Sequence, residues 1–360
     1  MNPQSPEFAA TSASAGIRPQ KGLHVFACIL VVLTVGLIVA GAMVTSTGSG
    51  LSVPDWPTTY GENMFLFHPS KWVGGIFYEH SHRLFASTIG FLTIILAILA
   101  QIRGNRKSIR VLGWVALAVV IAQGVLGGMT VRFMLPTWIS TFHACLAQTF
   151  LCILTTIAVL THPRWETASA RPARPLPLAP LVLVIVIFCQ LLAGALMRHT
   201  ESGLAVPDFP LAYNQVLPSL TDEAVTRYND IRAFDYMMSP VTKSQIIAHL
   251  AHRVGAVLVV LAVIASVVSI RRNFRGDATA NKAIAWIVLL VAIQATLGAY
   301  TIWTIKLALV ATAHVAVGAA TLGVAWRCFL LTKFADRRLP STSVDRAAPL
   351  DNALIQGAVA

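Results

Sequence analysis

The chain has 360 residues, of which 56% are apolar and only 12% charged, and its net charge is +12. Soluble proteins carry about 25% charged residues, so a soluble domain is excluded; the deficit fits a chain lying mostly in lipid, where ionisable groups are costly. The positive excess does not mark a nucleic-acid surface, because it is divided among short connections between apolar runs.

The first 22 residues are polar and read as a cytoplasmic tail. The first apolar run is long enough to span and lacks a small-residue cleavage site, so it is read as a helix rather than a cleavable signal. Eight spanning helices are predicted, at 23–45, 80–101, 111–131, 138–161, 178–198, 245–270, 283–303 and 307–332. Arg103, Arg106, Lys107 and Arg110 fill one connection, Arg164, Arg171 and Arg174 another, and Arg271, Arg272, Arg275 and Lys282 a third. These clusters recur at every second connection, as the positive-inside rule requires. Both termini are then expected in the cytoplasm, including a tail at 333–360, with the long connections 46–79 and 199–244 outside a cell inner membrane. The five cysteines all lie in apolar runs without a C-x-x-C pair, and read as small packing residues.

The chain repeats itself. Residues 41–61 (GAMVTSTGSGLSVPDWPTTYG) match residues 194–214 (GALMRHTESGLAVPDFPLAYN) at 11 of 21 positions. Gln123-Gly-Val-Leu-Gly127 answers Gln294-Ala-Thr-Leu-Gly298, and Glu79-His-Ser-His82-Arg83 answers His249-Leu-Ala-His252-Arg253. The fold expected is all-α: two pseudo-symmetric four-helix bundles, 23–161 and 178–332. An even number of spans per half makes the repeat parallel, with matching sites at equal depth.

Four histidines occupy matching places. His82 and His143 begin the second and fourth spans, and His252 and His314 begin the sixth and eighth. Within each half the two imidazoles return to one depth near the outer side. Facing across a bundle, they suit a planar haem held by both axial positions. Zinc and copper would want a fuller set of Cys, Met or carboxylate donors, and no such set accompanies either pair. Arg83 and Arg253 follow the first histidine of each pair and are placed to meet a haem propionate or to snorkel at the interface. Glu79 lies one turn before His82, where the second half has His249. That asymmetry suggests proton chemistry in one half and a retained cofactor in the other. The two V-P-D-[WF]-P segments read as rigid flaps or structural turns. His24, His68, His162 and His199 have no counterparts and read as interfacial residues, while the role of His80 stays open.

With the E-H-S-H-R segment at 79–83, A-H-L-A-H-R at 248–253, His143 in F-H-A-C-L-A-Q, His314 in A-T-A-H-V-A-V-G and the duplicated loops, the chain resembles the haem A synthase family over about residues 23–332. The resemblance implies oxidation of a methyl group of haem O to the formyl group of haem A, for terminal oxidases. It implies a haem b cofactor on His252 and His314, substrate haem between His82 and His143, and a catalytic Glu79. It also implies the farnesylating haem O synthase as a partner and an electron acceptor that the sequence does not identify. The loop cysteine pairs of some family members are absent. A di-haem electron-transfer cytochrome and a haem carrier remain open as alternatives, separable by the pigments that the protein holds.

Overall fold

A computed structural model describes residues 20–163 and 177–334. The tails and the Arg164, Arg171 and Arg174 cluster lie outside the described residues, apart from the innermost residues of each tail. Among the described residues there are nine α-helices and no strand. They are α1 Lys21–Ser46, α2 Gly75–Arg103, α3 Lys107–Arg132, α4 Thr137–Leu160, α5 Leu178–His199, α6 Asp222–Phe234, α7 Lys243–Asn273, α8 Ala278–Trp303 and α9 Ala308–Lys333. All but α6 are long and apolar enough to cross a membrane, and these eight overlie the eight predicted spans. Many of their large apolar side chains face outward, among them Val32, Phe91, Ile121 and Trp286, as helices bathed in lipid tails would.

Local chemistry sets several boundaries. Thr242 and Gln245 form a reciprocal capping box that starts α7. The Asp277 carboxylate accepts from the Thr279 and Ala280 amides at the start of α8. The helix that the spans did not anticipate, α6, is short and polar and belongs to the second long connection. Thr221 caps it, accepting from Ala224 N–H, and Asp222 and Glu223 occupy its first turn, where the helix dipole favours acids.

In the first half α2 packs on α1 and α3, and α4 packs on α1 and α3. In the second, α7 packs on α5 and α8, and α9 on α5 and α8. Helices α1 and α4 also contact α9, and α4 contacts α5. The buried apolar clusters of the spanning helices sit toward one end of this assembly. Leu23, Leu30, Leu96, Ile109, Leu154 and Ile157 cluster there in the first half, and Leu183, Ile270, Ile287 and Leu322 in the second. The opposite end carries the long connections, 47–74 and 200–242, and it is this loop end that holds the four histidines.

Candidate functional site

Each of the four histidines lies over a glycine of the preceding spanning helix. A Cβ placed on Gly41 of α1 would come within 3.0 Å of His82 Cε1, and one on Gly194 of α5 within 3.0 Å of His252 Cε1. The corresponding distances are 3.2 Å from Gly127 of α3 to His143 and 3.3 Å from Gly298 of α8 to His314. All four glycines stand five residues before the last residue of their helix. The four imidazoles therefore meet the same position near the end of the preceding spanning helix, each against a glycine where an added Cβ would crowd the ring. The His252 and His314 ring centroids are 6.5 Å apart. The four glycines fall inside the repeated segments, but repetition alone did not show that their purpose is to make room for a ring on another helix.

Glutamines brace three of these rings. Gln123 Nε2 donates to the His143 carbonyl at 2.9 Å and lies 3.4 Å from its Nε2. Gln294 Nε2 lies 3.3 Å from His314 Nε2. Gln190 Nε2 donates to the His252 carbonyl at 2.8 Å and lies 3.2 and 3.3 Å from its two ring nitrogens. Nδ1 of His82, His143 and His314 is buried without a hydrogen-bond partner. A buried polar atom without a partner is uncommon and calls for an explanation.

The duplicated loops fold alike. The Asp55 carboxylate accepts from Tyr60 N–H at 2.7 Å and Gly61 N–H at 2.9 Å, and Asp208 accepts from Tyr213 N–H at 2.7 Å and Asn214 N–H at 2.9 Å. The Tyr60 hydroxyl donates to the Ser52 carbonyl, and Tyr213 to that of Ala205, both at 2.5 Å. Partial burial pushes the Asp55 carboxyl up, but the hydrogen bonds from Gly61, Thr58 and Tyr60 outweigh it and hold the group below its ordinary value. Trp56 lies flush on Gly128, whose Cβ would fall 2.4 Å from the indole; in the second half Phe209 meets Trp303 edge-on.

Arg83 and Arg253 are the pins of these loops. Arg83 donates to the carbonyls of Asp55, Thr58 and Val53 and pairs with the Glu79 carboxylate at 2.6 Å. Arg253 donates to the carbonyls of Leu211, Val206 and Asp208. The terminal nitrogens of both arginines are engaged by the loop backbone, and Arg253 Nε is buried without a partner. Glu79 and His249 also do one structural job between them. Glu79 Oε2 accepts from Val53 N–H at 2.8 Å, and His249 Nδ1 lies 3.4 Å from the matching Val206 N–H and 3.2 Å from the Ser202 carbonyl. Both side chains are buried. The two halves differ in that only the first carries a carboxylate and a buried ion pair at this anchor.

His80 is buried against Phe67 and Trp72, with Nδ1 3.2 Å from Thr59 Oγ1, so it serves the first loop. His68 caps the 3₁₀ turn Pro69–Lys71. His24 and His162 meet edge-on at the core end, away from the four histidines of the loop end. No sequence pattern marks Arg198, which reaches from α5 to Ser46 Oγ of α1 at 2.7 Å, where Thr312 of α9 also donates at 2.9 Å.

A family model described as cytochrome oxidase assembly protein, COX15-CtaA, matches residues 24–326. Among curated relatives, a protein of Halalkalibacterium halodurans named "Heme A synthase" is 28% identical over 263 residues, covering 70% of this chain and 78% of its own. One of Geobacillus kaustophilus with the same name is 23% identical over 334 residues, covering 91% and 97%. A third, of Alkalihalophilus pseudofirmus, is 29% identical over 205 residues, covering 56% and 67%.

Proposed function

The chain belongs to the COX15-CtaA family of cytochrome oxidase assembly proteins, and from that premise we propose that it is a haem A synthase: a multi-pass membrane oxidoreductase that oxidises a methyl group of haem O to the formyl group of haem A. The observation that carries this reading is the fourfold registration of histidine on a glycine near the end of the preceding spanning helix. Relatives named for haem A synthesis support the same reading.

The donor set fits haem. Two imidazoles are too few for a bare structural metal ion, but they complete an iron whose other four positions are filled by its own macrocycle. With ring centroids 6.5 Å apart, His252 and His314 are the residues that would hold one haem iron between them. The unpartnered Nδ1 atoms are the kind of buried polar group that a ligand, a rotated ring or ordered water satisfies. His252 and His314 are assigned to a retained haem b, which when bound supplies one-electron transfer. His82 and His143 are assigned to the substrate haem. The glycines admit the rings, the glutamines orient those of His143, His252 and His314, and the loops pinned by Arg83 and Arg253 cover the loop end.

Glu79 is assigned the catalytic role. It is the only one of the two matching anchors that is a carboxylate, one turn from His82, and its Val53 and Arg83 partners fix it in place. A fixed negative group at the mouth of the substrate site stabilises positive charge developing at the methyl carbon, or takes a proton from it. Haem O synthase is the proposed supplier of substrate, and the electrons pass to an acceptor not yet identified. Both termini are assigned to the cytoplasm and the loop end to the outside.

The test is haem chromatography of cells expressing Glu79→Gln. Breaking a buried ion pair costs about 3–5 kcal/mol when the partner is left alone, but Arg83 keeps three carbonyl acceptors, and glutamine still accepts from Val53. The variant is expected to fold, keep its b-type haem and accumulate haem O or a hydroxylated intermediate. Normal haem A from Glu79→Gln would remove the catalytic assignment and leave Glu79 as a loop anchor.

A further inference from the structure

The two halves differ most at the first histidine of each pair. In the second half Gln190 of α5 crosses to α7, donating to the His252 carbonyl at 2.8 Å and lying against the ring. It can do so because residue 255 is glycine: a Cβ there would stand 2.0 Å from Gln190 Oε1. In the first half the repeat puts Leu37 in the place of Gln190 and Phe85 in the place of Gly255. Phe85 leans back on α1, its ring 3.4 Å from a Cβ built on Gly36. The space between the paired helices is thus filled from α2 by an apolar ring in one half and from α5 by an amide in the other. Among the described residues no side chain hydrogen-bonds the His82 ring, and its Nδ1 is buried without a partner. The second histidines do not show this contrast, since Gln123 and Gln294 brace His143 and His314 alike.

We infer that Gln190 is a positioning residue that locks His252 and so makes the second half the one that retains its haem, whereas Leu37 and Phe85 leave His82 free to take up and release one. This rests on the assignment of both pairs to haem. The physical reason is that Gln190, bonded to the His252 carbonyl and packed against the ring, confines the imidazole to one orientation, as the outer partners of a ligand do. A substrate site that must empty after each turnover is served by a ligand without that brace.

The test uses the full-length purified protein with its native haem, following transfer of b-type haem to excess apomyoglobin by absorbance and the midpoint potential by redox titration. Gln190→Met keeps the shape of the side chain but removes the amide. Gly255→Ala leaves Gln190 in the chain but forces it off His252. Both are expected to speed haem loss by about 10–100-fold, the usual effect of losing such an outer partner, and to shift the midpoint potential, which a purely structural loss would leave in place. Leu37→Gln combined with Phe85→Gly is expected to slow release from the first half. Wild-type transfer rates and potential in both Gln190→Met and Gly255→Ala would overturn the inference while leaving the haem assignment standing. A b-type haem that is indifferent to His252→Ala and His314→Ala would overturn the assignment and the inference together.

Discussion

A glycine beneath an imidazole is a narrow requirement, and it gives the residue scale its sharpest test. A methyl group on Gly194 would sit 3.0 Å from His252 Cε1, tighter than ordinary van der Waals contact, and His252 is already held by Gln190, one turn from Gly194 on the same helix. Gly194→Ala is expected to reduce b-type haem in the purified protein by more than half, and Gly298→Ala, at 3.3 Å, to reduce it less; haem-to-protein ratio measures both. The histidines themselves were legible in the sequence, because paired spacing and repetition survive without knowledge of packing. Their glycines and glutamines were visible only as repeated letters. A glycine's purpose is defined by what approaches it, and His82 approaches Gly41 from another helix.

At the scale of elements, the duplicated loops, flaps or structural turns by their sequence, have interiors that explain why they hold a shape. Asp55 and Asp208 each gather two amides, Tyr60 and Tyr213 each close back on the loop start, and an arginine from the following spanning helix pins the carbonyls. Asp55→Asn leaves one acceptor oxygen for two amides and is expected to cost about 1–3 kcal/mol of local stability. Faster hydrogen exchange at Tyr60 or Gly61, with the spanning helices unchanged, would show it. Because the hydrogen bonds lower the Asp55 carboxyl, this brace is complete above the ordinary carboxylate range and is lost only as pH falls through the lowered value. The buttresses behind the loops differ: Tyr60 stacks on Phe67, but Tyr213 stacks on Tyr228 of α6, with ring centroids 4.0 Å apart. Helix α6 escaped the reading by apolar runs because it is polar and short. Its cap and first-turn acids were the available signal.

For the whole molecule, apolar run length was enough to place eight helices, since a bilayer allows few alternatives to a spanning helix. Which face lies outside rests on the basic connections, and labelling tests it. Leu66 is 79% exposed and Val216 is 90% exposed, one on each long connection. Single cysteines at these two positions, in a background cleared of reactive thiols, are expected to react with an impermeant reagent from the outer face; labelling only after permeabilisation would invert the topology.

The two histidine pairs are proposed to hold two different haems, one retained and one processed. Pigment extraction and chromatography of the purified protein, beside His252→Ala and His314→Ala, test it most directly. The expected result is haem B together with haem O or haem A in the parent, and loss of the haem B fraction and its low-spin spectrum in both variants. Haem B alone filling both sites of the parent would contradict the account and make the protein a di-haem electron-transfer cytochrome.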